Sequence, residues 1–291
     1  MKPVDFVLHQ PDTLAEALQL LAEHGDDGKV LAGGQSLVPL LNFRLARPAH
    51  VVDVGRIDAL HEMRPGDGEV TVGAMVRQAA AEHSPDVTSQ VPLLGAALPQ
   101  IAHPPIRARG TVGGSLAHAD PAAELPTVAR ALDATFVAAS IRGRRTIPAA
   151  EFFQTHLTTA LAADELLIRV VFPTAPDTGA AYHEVGRRRG DFALVGAAAS
   201  LTVEDGVVTA ARFALSGVAD VPLRCTEAEE LVRGRAVEEA AMRELREWAR
   251  DTVTPPADLH ATADYRAHVA GTLLARATRA AFGQTVDRVA A

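Results

Sequence analysis

AGGQS at residues 32–36 and TVGGS at residues 111–115 are the two most informative segments of the sequence. A glycine pair lacks two Cβ atoms and permits positive φ angles, so that backbone N–H groups can converge on a phosphate. Residues 29–32 resemble a short strand, and residues 36–41 resemble a buried helical turn. Strand, glycine turn and helix start are the setting of a phosphate-binding loop. Either pair alone is more simply a tight turn, but their repetition favours phosphate binding.

The composition is that of an ordinary soluble globular protein, with 48% hydrophobic and 22% charged residues in a chain of 291. This length favours two domains, because single hydrophobic cores become uncommon beyond about 250 residues. The net charge of −8 argues against a nucleic-acid partner, which would require a basic surface. No apolar run approaches the ~18 residues of a membrane span, and no secretion signal follows Met1, so we expect a cytoplasmic location.

Cys225 is the only cysteine of the sequence. A single cysteine excludes an intrachain disulfide and a cysteine zinc site, and it provides too few ligands for an iron–sulfur cluster, which usually has four. The 11 histidines include neither an HExxH motif nor paired spacing, so no metal site is expected on this chain. Any iron–sulfur cluster that works with this chain must lie on another chain, and Cys225 is interpreted as a residue without a catalytic role.

The first half of the chain predicts an alternation of helices and strands. Thr13 and Glu16 form a capping-box pattern, leucines recur at positions 14, 18 and 21, and Gly25 provides the expected helix end. We expect further helices at 74–82, 92–101 and 122–132, and strands at 51–54, 69–73, 134–139 and 166–172. This mixed order indicates an α+β domain and not a regular doubly wound sheet.

Residues 173–179 are the expected linker, because they contain two prolines and a glycine. Three strand-like segments follow at 182–186, 193–203 and 207–215, and helices are expected at 226–232, 237–252 and 265–282. This order predicts a three-stranded antiparallel sheet covered by helices. The expected domains are therefore 1–175, with lobes of about 1–57 and 58–175, and 176–291.

The segment LAHADPAAELP at residues 116–126 places one imidazole and two carboxylates close together. His118, Asp120 and Glu124 would suit a metal site or acid–base chemistry. We interpret Asp120 mainly as the cap of a helix that begins at Pro121. Glu124 has an open role, since a carboxylate beside a phosphate-binding loop could accept hydrogen bonds from sugar or polyol hydroxyls.

A third segment, RRRGDFA at residues 187–193, combines three arginines with an aromatic residue. The arginines could neutralise a phosphate or pair with acids of a partner chain, or they could belong to a solvated loop. Phe192 is expected mainly in the core, although a phenylalanine beside Gly190 and Asp191 could also lie against a flat cofactor ring.

Residues 32–57, 106–126 and 182–196 together resemble the FAD-binding medium subunit of molybdenum hydroxylases. This family includes the medium subunit of aerobic carbon monoxide dehydrogenase and the corresponding domain of xanthine dehydrogenase. The order and spacing of the three motifs match from the amino terminus to about Phe282. The resemblance implies a two-lobed FAD domain related to the vanillyl alcohol oxidase superfamily, followed by a small carboxy-terminal domain.

The resemblance also implies the residues that contact a noncovalent FAD. The two glycine segments are assigned to the pyrophosphate and neighbouring atoms, Glu124 to the ribityl or flavin hydroxyls, and Phe192 to the isoalloxazine. His183 stands where several relatives have a lysine. The complete set of expected FAD contacts is Ala32, Gly33, Gly34, Gln35, Ser36, Leu37, Thr111, Val112, Gly113, Gly114, Ser115, Ala117, Asp120, Glu124, Leu167, His183 and Phe192.

In complete enzymes of the family, a large subunit carries a molybdenum–pterin cofactor and a small subunit carries two [2Fe–2S] clusters. The resemblance therefore implies an electron-transfer flavoprotein in a heterotrimer, which the family assembles as a dimer of heterotrimers. Flavin accepts electrons singly and can release them in pairs to NAD⁺, a quinone or oxygen. Two alternatives are a self-sufficient flavin oxidase or dehydrogenase and a noncatalytic nucleotide-binding or assembly module.

Overall fold

The computed structural model describes residues 2–290, with side chains described through Val286. The chain begins with a small α/β unit. Its elements are β1 (Val7–His9), α1 (Leu14–His24), β2 (Gly28–Leu31), α2 (Leu37–Asn42) and β3 (His50–Asp53). The three strands form a parallel sheet in the order β1-β3-β2. The predicted capping box is confirmed, because Thr13 Oγ1 accepts a hydrogen bond from the Glu16 N–H and the Glu16 carboxylate accepts one from the Thr13 N–H.

A five-stranded sheet and most of the short helices follow. The elements are β4 (Met63–Pro65), β5 (Glu69–Gly73), α3 (Gln78–Glu82), α4 (Pro85–Gln90), α5 (Pro92–Ala97), α6 (Pro104–Arg109), α7 (Val112–His118), α8 (Glu124–Ala131), β6 (Thr135–Ser140), β7 (Gly143–Pro148), α9 (Ala149–Phe152), β8 (Phe153–Thr155), β9 (Thr158–Thr159) and β10 (Leu166–Pro173). The strand order is β4-β5-β10-β6-β7, and all neighbours are antiparallel. The helix expected at 74–82 is confined to 78–82, since residues 74–77 bond to β10 and to the segment at 110–112.

The last part of the chain contains a meander and three helices. The elements are β11 (Gly179–Gly186), β12 (Ala193–Glu204), β13 (Val207–Ser216), β14 (Leu223–Arg224), α10 (Thr226–Val232), α11 (Glu239–Thr252) and α12 (Ala263–Ala290). The three predicted strands form the expected antiparallel sheet. A fourth strand, β14, has only two residues and pairs with the end of β13, which is too short for a sequence pattern to reveal.

The four-stranded sheet is packed on both faces. Helices α5 and α8 contact one face, and α12 covers the other. Small residues allow this close approach, since a Cβ on Gly179 would overlap the backbone carbonyl of Ala281. The first face contributes Tyr182, Ala198 and Ala214 to the core that α5 and α8 form with the five-stranded sheet. Helix α8, which begins at Glu124, is therefore held between two sheets.

Within the described residues, no helix combines the length and the apolar character that crossing a bilayer requires.

Candidate functional site

The first glycine pair forms the loop between β2 and α2. Gly34 has a φ of +74°, a backbone conformation that glycine adopts without steric cost. The carbonyl oxygen of Gly34 accepts a hydrogen bond from the N–H of Val38 at 3.1 Å, and the side-chain amide of Gln35 donates to the Gly33 carbonyl at 3.2 Å. These bonds fix the loop against the first turn of α2, as the strand–turn–helix pattern predicts.

The backbone N–H groups of this loop are candidates for binding an anion. In the part of the chain that the structure describes, the N–H groups of Gly33, Gly34, Gln35 and Ser36 have no hydrogen-bond acceptor. These four residues are half-buried. Consecutive free backbone donors with a glycine at positive φ form a concave site for an anion. The first loop therefore fits a phosphate group.

The second glycine pair is not a turn, and this corrects the sequence interpretation. Gly113 and Gly114 lie in the first turn of α7, whose N-cap is Thr111. The N–H of Gly114 donates to Thr111 Oγ1 at 3.0 Å, and the N–H of Gly113 donates to the Ala74 carbonyl at 2.9 Å. The N–H of Val112 bonds to Val76 O, and that of Ser115 to Thr111 O. These four donors are already engaged within the protein, unlike those of the first loop.

The glycines of the second pair are required for close packing. A Cβ on Gly113 would lie 2.5 Å from the Cβ of Ala74, which is far inside van der Waals contact. A Cβ on Gly114 would lie 2.6 Å from Thr111 Oγ1 and 3.4 Å from the Cβ of Ala32. The contact of Gly113 with Ala74 packs α7 against the end of β5. The contact of Gly114 with Ala32 places α7 next to the first loop.

The structure brings the two predicted segments together. Besides the contact of Gly114 with Ala32, a Cβ on Gly33 would be 2.9 Å from the Cα of Gly110 and closer still to the carbonyl oxygen of Arg109. The first loop therefore packs directly on the residues that precede α7. Two segments that are distant in sequence form one surface, as two loops that bind one cofactor require.

Three arginines near the first loop have no counterpart in the sequence predictions. Arg56, Arg77 and Arg109 line a depression of about 320 Å³ that also borders Ala32, Gly33 and Gly34. The Arg77 guanidinium donates to the Arg109 carbonyl oxygen, which fixes its position beside the loop. These cations favour an anion near the glycines. They lie on three different segments, and no local pattern joins them.

Asp120 and Glu124 have different surroundings from those expected. Helix α8 begins at Glu124 and has Ala123 as its N-cap, so Asp120 does not cap a helix that starts at Pro121. Asp120 instead accepts a hydrogen bond from the Ala122 N–H at 2.9 Å, which forms a turn of the type that short acidic side chains favour. Burial raises the pKa of Glu124 to about 7, and the negative charge of Asp120 adds to this increase.

Glu184 is a second half-buried acid, and no motif in the sequence pointed to it. It lies on β11, two positions after Tyr182, so that both side chains are on the same face of the sheet. Burial, and then the charge of Glu124, raises the pKa of Glu184 to about 8. Its Oε2 atom is buried without a hydrogen-bond partner among the described residues. The alternation of side chains along β11 is the sequence pattern that places Glu184 on the same face of the sheet as buried Tyr182.

Tyr182 extends this polar cluster. Its hydroxyl is 3.3 Å from Ser216 Oγ on β13. Burial raises the pKa of Tyr182, and the charge of Glu124 adds to this effect. The phenol is therefore neutral and able to donate a hydrogen bond at physiological pH. The cluster of Glu124, Glu184, Tyr182 and Ser216 joins α8 to the four-stranded sheet.

The remaining residues that the sequence predicts to contact FAD lie on α2, α7, β10 and β11. Leu37 begins α2 beside the first loop, and Ala117 is exposed on α7. Leu167 is buried on β10, next to a β-bulge between Leu167 and Arg169. His183 is half-buried on β11, and its pKa is lowered by burial and by the charge of Arg276.

The segment RRRGDFA lies at the surface, and the expectation that Phe192 belongs to the core is wrong. Phe192 is 72% exposed, and the three preceding arginines are exposed. Gly190 has a φ of +85°, and its Cα lies against the imidazole of His103, so that a Cβ there would overlap the ring. This contact holds the segment next to α6, which leads to the second glycine segment. Phe192 is therefore an exposed aromatic side chain near the site.

Comparison with known proteins identifies the class of the chain. The family described as FAD binding domain in molybdopterin dehydrogenase matches residues 4–175. The family described as CO dehydrogenase flavoprotein C-terminal domain matches residues 180–281. The chain belongs to this family of flavoproteins, and the resemblance inferred from the sequence is confirmed.

Individual relatives agree over nearly the whole chain. The 6-hydroxypseudooxynicotine dehydrogenase complex subunit alpha of Paenarthrobacter nicotinovorans is 42% identical, over 95% of this chain and 94% of that protein. The caffeine dehydrogenase subunit beta of Pseudomonas sp. (strain CBB1) is 40% identical, over 99% of this chain and 97% of that protein. A solved structure is also similar, that of carbon monoxide dehydrogenase from Hydrogenophaga pseudoflava which lacks the Mo-pyranopterin moiety. One of its chains matches with a TM-score of 0.94 and 38% identity, over 98% of this chain and 99% of that chain. The chain is thus an FAD-binding medium subunit of the molybdenum hydroxylase type, and the expected fold class is confirmed.

Proposed function

We propose that this chain is the electron-transfer subunit of a cytoplasmic heterotrimeric molybdenum hydroxylase. In this proposal, a small subunit with [2Fe–2S] clusters delivers electrons, and the chain passes them to an external acceptor. A large subunit carries the molybdopterin and oxidises the substrate. The observation that carries the proposal is the convergence of the two glycine segments on one surface, combined with a single cysteine in the sequence.

The residues of the first loop fit the pyrophosphate of FAD. In the described part of the chain, the N–H groups of Gly33, Gly34, Gln35 and Ser36 are available as donors for anionic oxygens. A Cβ at Gly34 would lie 3.2 Å from the Val38 side chain, at a φ of +74° that favours glycine. Arg56, Arg77 and Arg109 add positive charge on the same side. We therefore assign the pyrophosphate to this loop, and Leu37 at the start of α2 to its apolar border.

The second segment supports the site by shape. The N–H groups of Val112, Gly113, Gly114 and Ser115 have protein acceptors, so we propose that this segment supports the site through the close approach of Gly114 to Ala32, and the expected FAD contacts of these residues stay a proposal. Thr111 fixes the helix start, and exposed Ala117 and buried Leu167 border the cofactor further along. Asp120 keeps the expected contact as a proposal.

We propose that Glu124 and Glu184 exchange a proton and form hydrogen bonds with hydroxyl groups of the cofactor. With a pKa of about 7, the carboxyl of Glu124 is partly protonated at neutral pH, so it can both accept and donate a hydrogen bond. The unpartnered Oε2 of Glu184 provides a second position for the same proton. We propose that Glu124 contacts ribityl or flavin hydroxyls. The expected FAD contact of His183 stays a proposal, and its side chain points to the opposite face of the sheet, toward Arg276 of α12.

Flavin, when bound, supplies redox chemistry that takes electrons singly and releases them in pairs. The chain's own residues position the cofactor and set the charge around it. Exposed Phe192 is proposed to lie against the isoalloxazine or at its edge, and the arginines at 187–189 are proposed to face acids of a partner subunit.

We also propose that the boundary between the two domains lies at residue 175. Strand β10 ends at Pro173 in the five-stranded sheet, whereas β11 begins at Gly179 in another sheet.

The assembled complex tests this function. The full chain is produced with the two chains encoded beside it, and the flavin absorbance is followed without oxygen after substrate is added. We expect one cluster-bearing and one molybdenum-bearing chain to copurify, and flavin reduction only in the complex. Reduction of the isolated chain by an organic substrate would instead indicate a self-sufficient dehydrogenase. Partner binding without FAD would indicate an assembly module.

A further inference from the structure

Three histidines that are distant in sequence meet on one face of the parallel sheet. His9 ends β1, His24 ends α1, and His50 begins β3. One ring nitrogen from each lies within 4.8 Å of the other two. The centroids of the His24 and His50 rings are 3.6 Å apart, and those of His9 and His24 are 5.1 Å apart. The flavoprotein function described above does not use these residues.

The hydrogen bonds of this cluster are incomplete. His9 Nε2 and His50 Nδ1 are 3.0 Å apart and share one hydrogen bond. His24 Nε2 is buried and has no partner among the described residues. A buried imidazole nitrogen without a partner loses the free energy of its hydration. The cluster therefore contains nitrogen atoms whose bonding capacity the protein itself does not use.

We propose that His9, His24 and His50 form a binding site for a divalent transition metal of the Zn²⁺ class. Three imidazoles favour Zn²⁺, Ni²⁺ or Cu²⁺, whereas Mg²⁺ and Ca²⁺ prefer oxygen ligands. A tetrahedral zinc ion with Zn–N bonds of about 2.1 Å separates its ligand nitrogens by about 3.4 Å. Because the His24 and His50 rings stack nearly parallel, with an interplanar angle of 4°, binding one ion requires these rings to rotate so that their nitrogen lone pairs converge.

The surroundings of the cluster leave an approach from solvent. Gly28 on β2 packs closely on the residue that carries one imidazole, because a Cβ there would be 3.3 Å from the His24 Cβ. His9 borders an open depression that Gln19 and Glu23 also line. A water molecule or the nearby Glu23 carboxylate can complete the coordination from that side.

The positions of the three residues indicate what a bound ion would do. A bound ion would connect the carboxyl end of α1 to two strands of the sheet, which indicates a structural site.

The sequence gives no sign of this cluster, since positions 9, 24 and 50 follow no known ligand spacing. Only the fold brings them together, through α1 returning along the sheet. The proposal therefore departs from the expectation that this chain has no metal site.

Zinc binding by the full chain, without a polyhistidine tag, tests the proposal. After chelator treatment, equilibrium dialysis against Zn²⁺ alone and metal analysis should give about one ion per chain. His24→Gln should weaken zinc binding at least about tenfold, because it removes one of three ligands. His260→Gln, a change at an exposed histidine outside the cluster, should leave zinc binding unchanged. FAD content is measured in parallel and should be equal in all three proteins.

A second measurement does not depend on the folding of a variant. Wild-type protein loaded with Co²⁺ should show the visible absorption of a four- or five-coordinate ion with nitrogen ligands, and Zn²⁺ should displace it. A wild-type chain that retains no zinc, or zinc binding that is equal in wild type and a folded His24→Gln protein, overturns the proposal.

Discussion

The backbone of Gly33 lies so close to the carbonyl oxygen of Arg109 that a side chain at residue 33 would overlap it. This contact joins the loop after β2 to the segment that leads into α7. It explains why a glycine is required at a position whose φ angle is not unusual. The two segments that we propose to bind FAD are therefore in direct contact, and a substitution in one should affect the other.

Gly33→Ala should weaken FAD binding at least about tenfold and lower the free energy of unfolding of the apoprotein by about 1–3 kcal/mol, as overpacking does. The new methyl group meets backbone atoms of Arg109 and Gly110, which cannot rotate away. Calorimetric titration with FAD and urea unfolding measure the two effects. The control is Gly283→Ala in α12, where an added Cβ meets nothing within 4 Å and where FAD affinity should be unchanged. Equal FAD affinity in both variants would contradict the packing argument.

Gly34→Ala and Gly68→Ala separate backbone strain from cofactor binding. Both glycines have a φ of +74°, so each alanine should cost about 1–2 kcal/mol of stability. Only Gly34 lies in the loop with free N–H groups, and only its variant should lose FAD affinity. Urea unfolding and FAD titration of both proteins check this. A parallel loss of FAD affinity in Gly68→Ala would show that strain alone is responsible.

Thr111→Ala should destabilise the chain by about 1 kcal/mol, because the Gly114 N–H loses its cap. Thr111→Ser keeps an oxygen at the same position and should retain most of the stability and the FAD affinity. Thermal unfolding with and without FAD measures both effects. If serine and alanine behave alike, the hydroxyl of Thr111 is not the group that fixes α7.

The free energy of unfolding should depend on pH through the titration of Glu124 and Glu184. Their pKa values in the folded chain, about 7 and about 8, are higher than the ordinary value for a glutamate. The folded state therefore binds more protons than the unfolded state, and the free energy of unfolding should fall as the pH rises from about 5 to about 8. The direction is the reverse of that for an acid stabilised by a salt bridge.

Urea unfolding of the apoprotein between pH 5 and pH 8 measures this slope. Glu184→Gln should flatten it, since the amide does not titrate, whereas Glu204→Gln on the exposed end of β12 should not. A slope that is identical in wild type and Glu184→Gln would show that Glu184 is not protonated in the folded chain.

Much of the fold followed from local patterns. Thr13 and Glu16 fixed the start of α1, and the alternation around β11, β12 and β13 placed the meander correctly, because caps and strand periods are local properties. The position of Gly113 in a helix could not be predicted in this way. That position depends on the contact of Gly113 with Ala74. Because Ala74 is distant in the sequence, a local pattern around Gly113 cannot predict the contact.

The same reason explains the errors in the site. The role of Asp120 depended on where α8 begins, and the sequence placed that start at Pro121 and not at Glu124. Phe192 was expected in the core because phenylalanine usually is, yet the contact of Gly190 with His103 holds this segment at the surface. Glu184 was visible only through its inward position on a strand.

The FAD content of the full chain tests whether the loop at residues 32–36 holds the cofactor. Wild type and Gly68→Ala, reconstituted with FAD and then precipitated with acid, should each release about one FAD per chain into the supernatant, because the cofactor is noncovalent. Gly34→Ala, treated identically, should release far less. A wild-type chain that takes up no FAD, or a Gly34→Ala chain that binds FAD as well as Gly68→Ala does, would contradict the assignment of the cofactor to this loop.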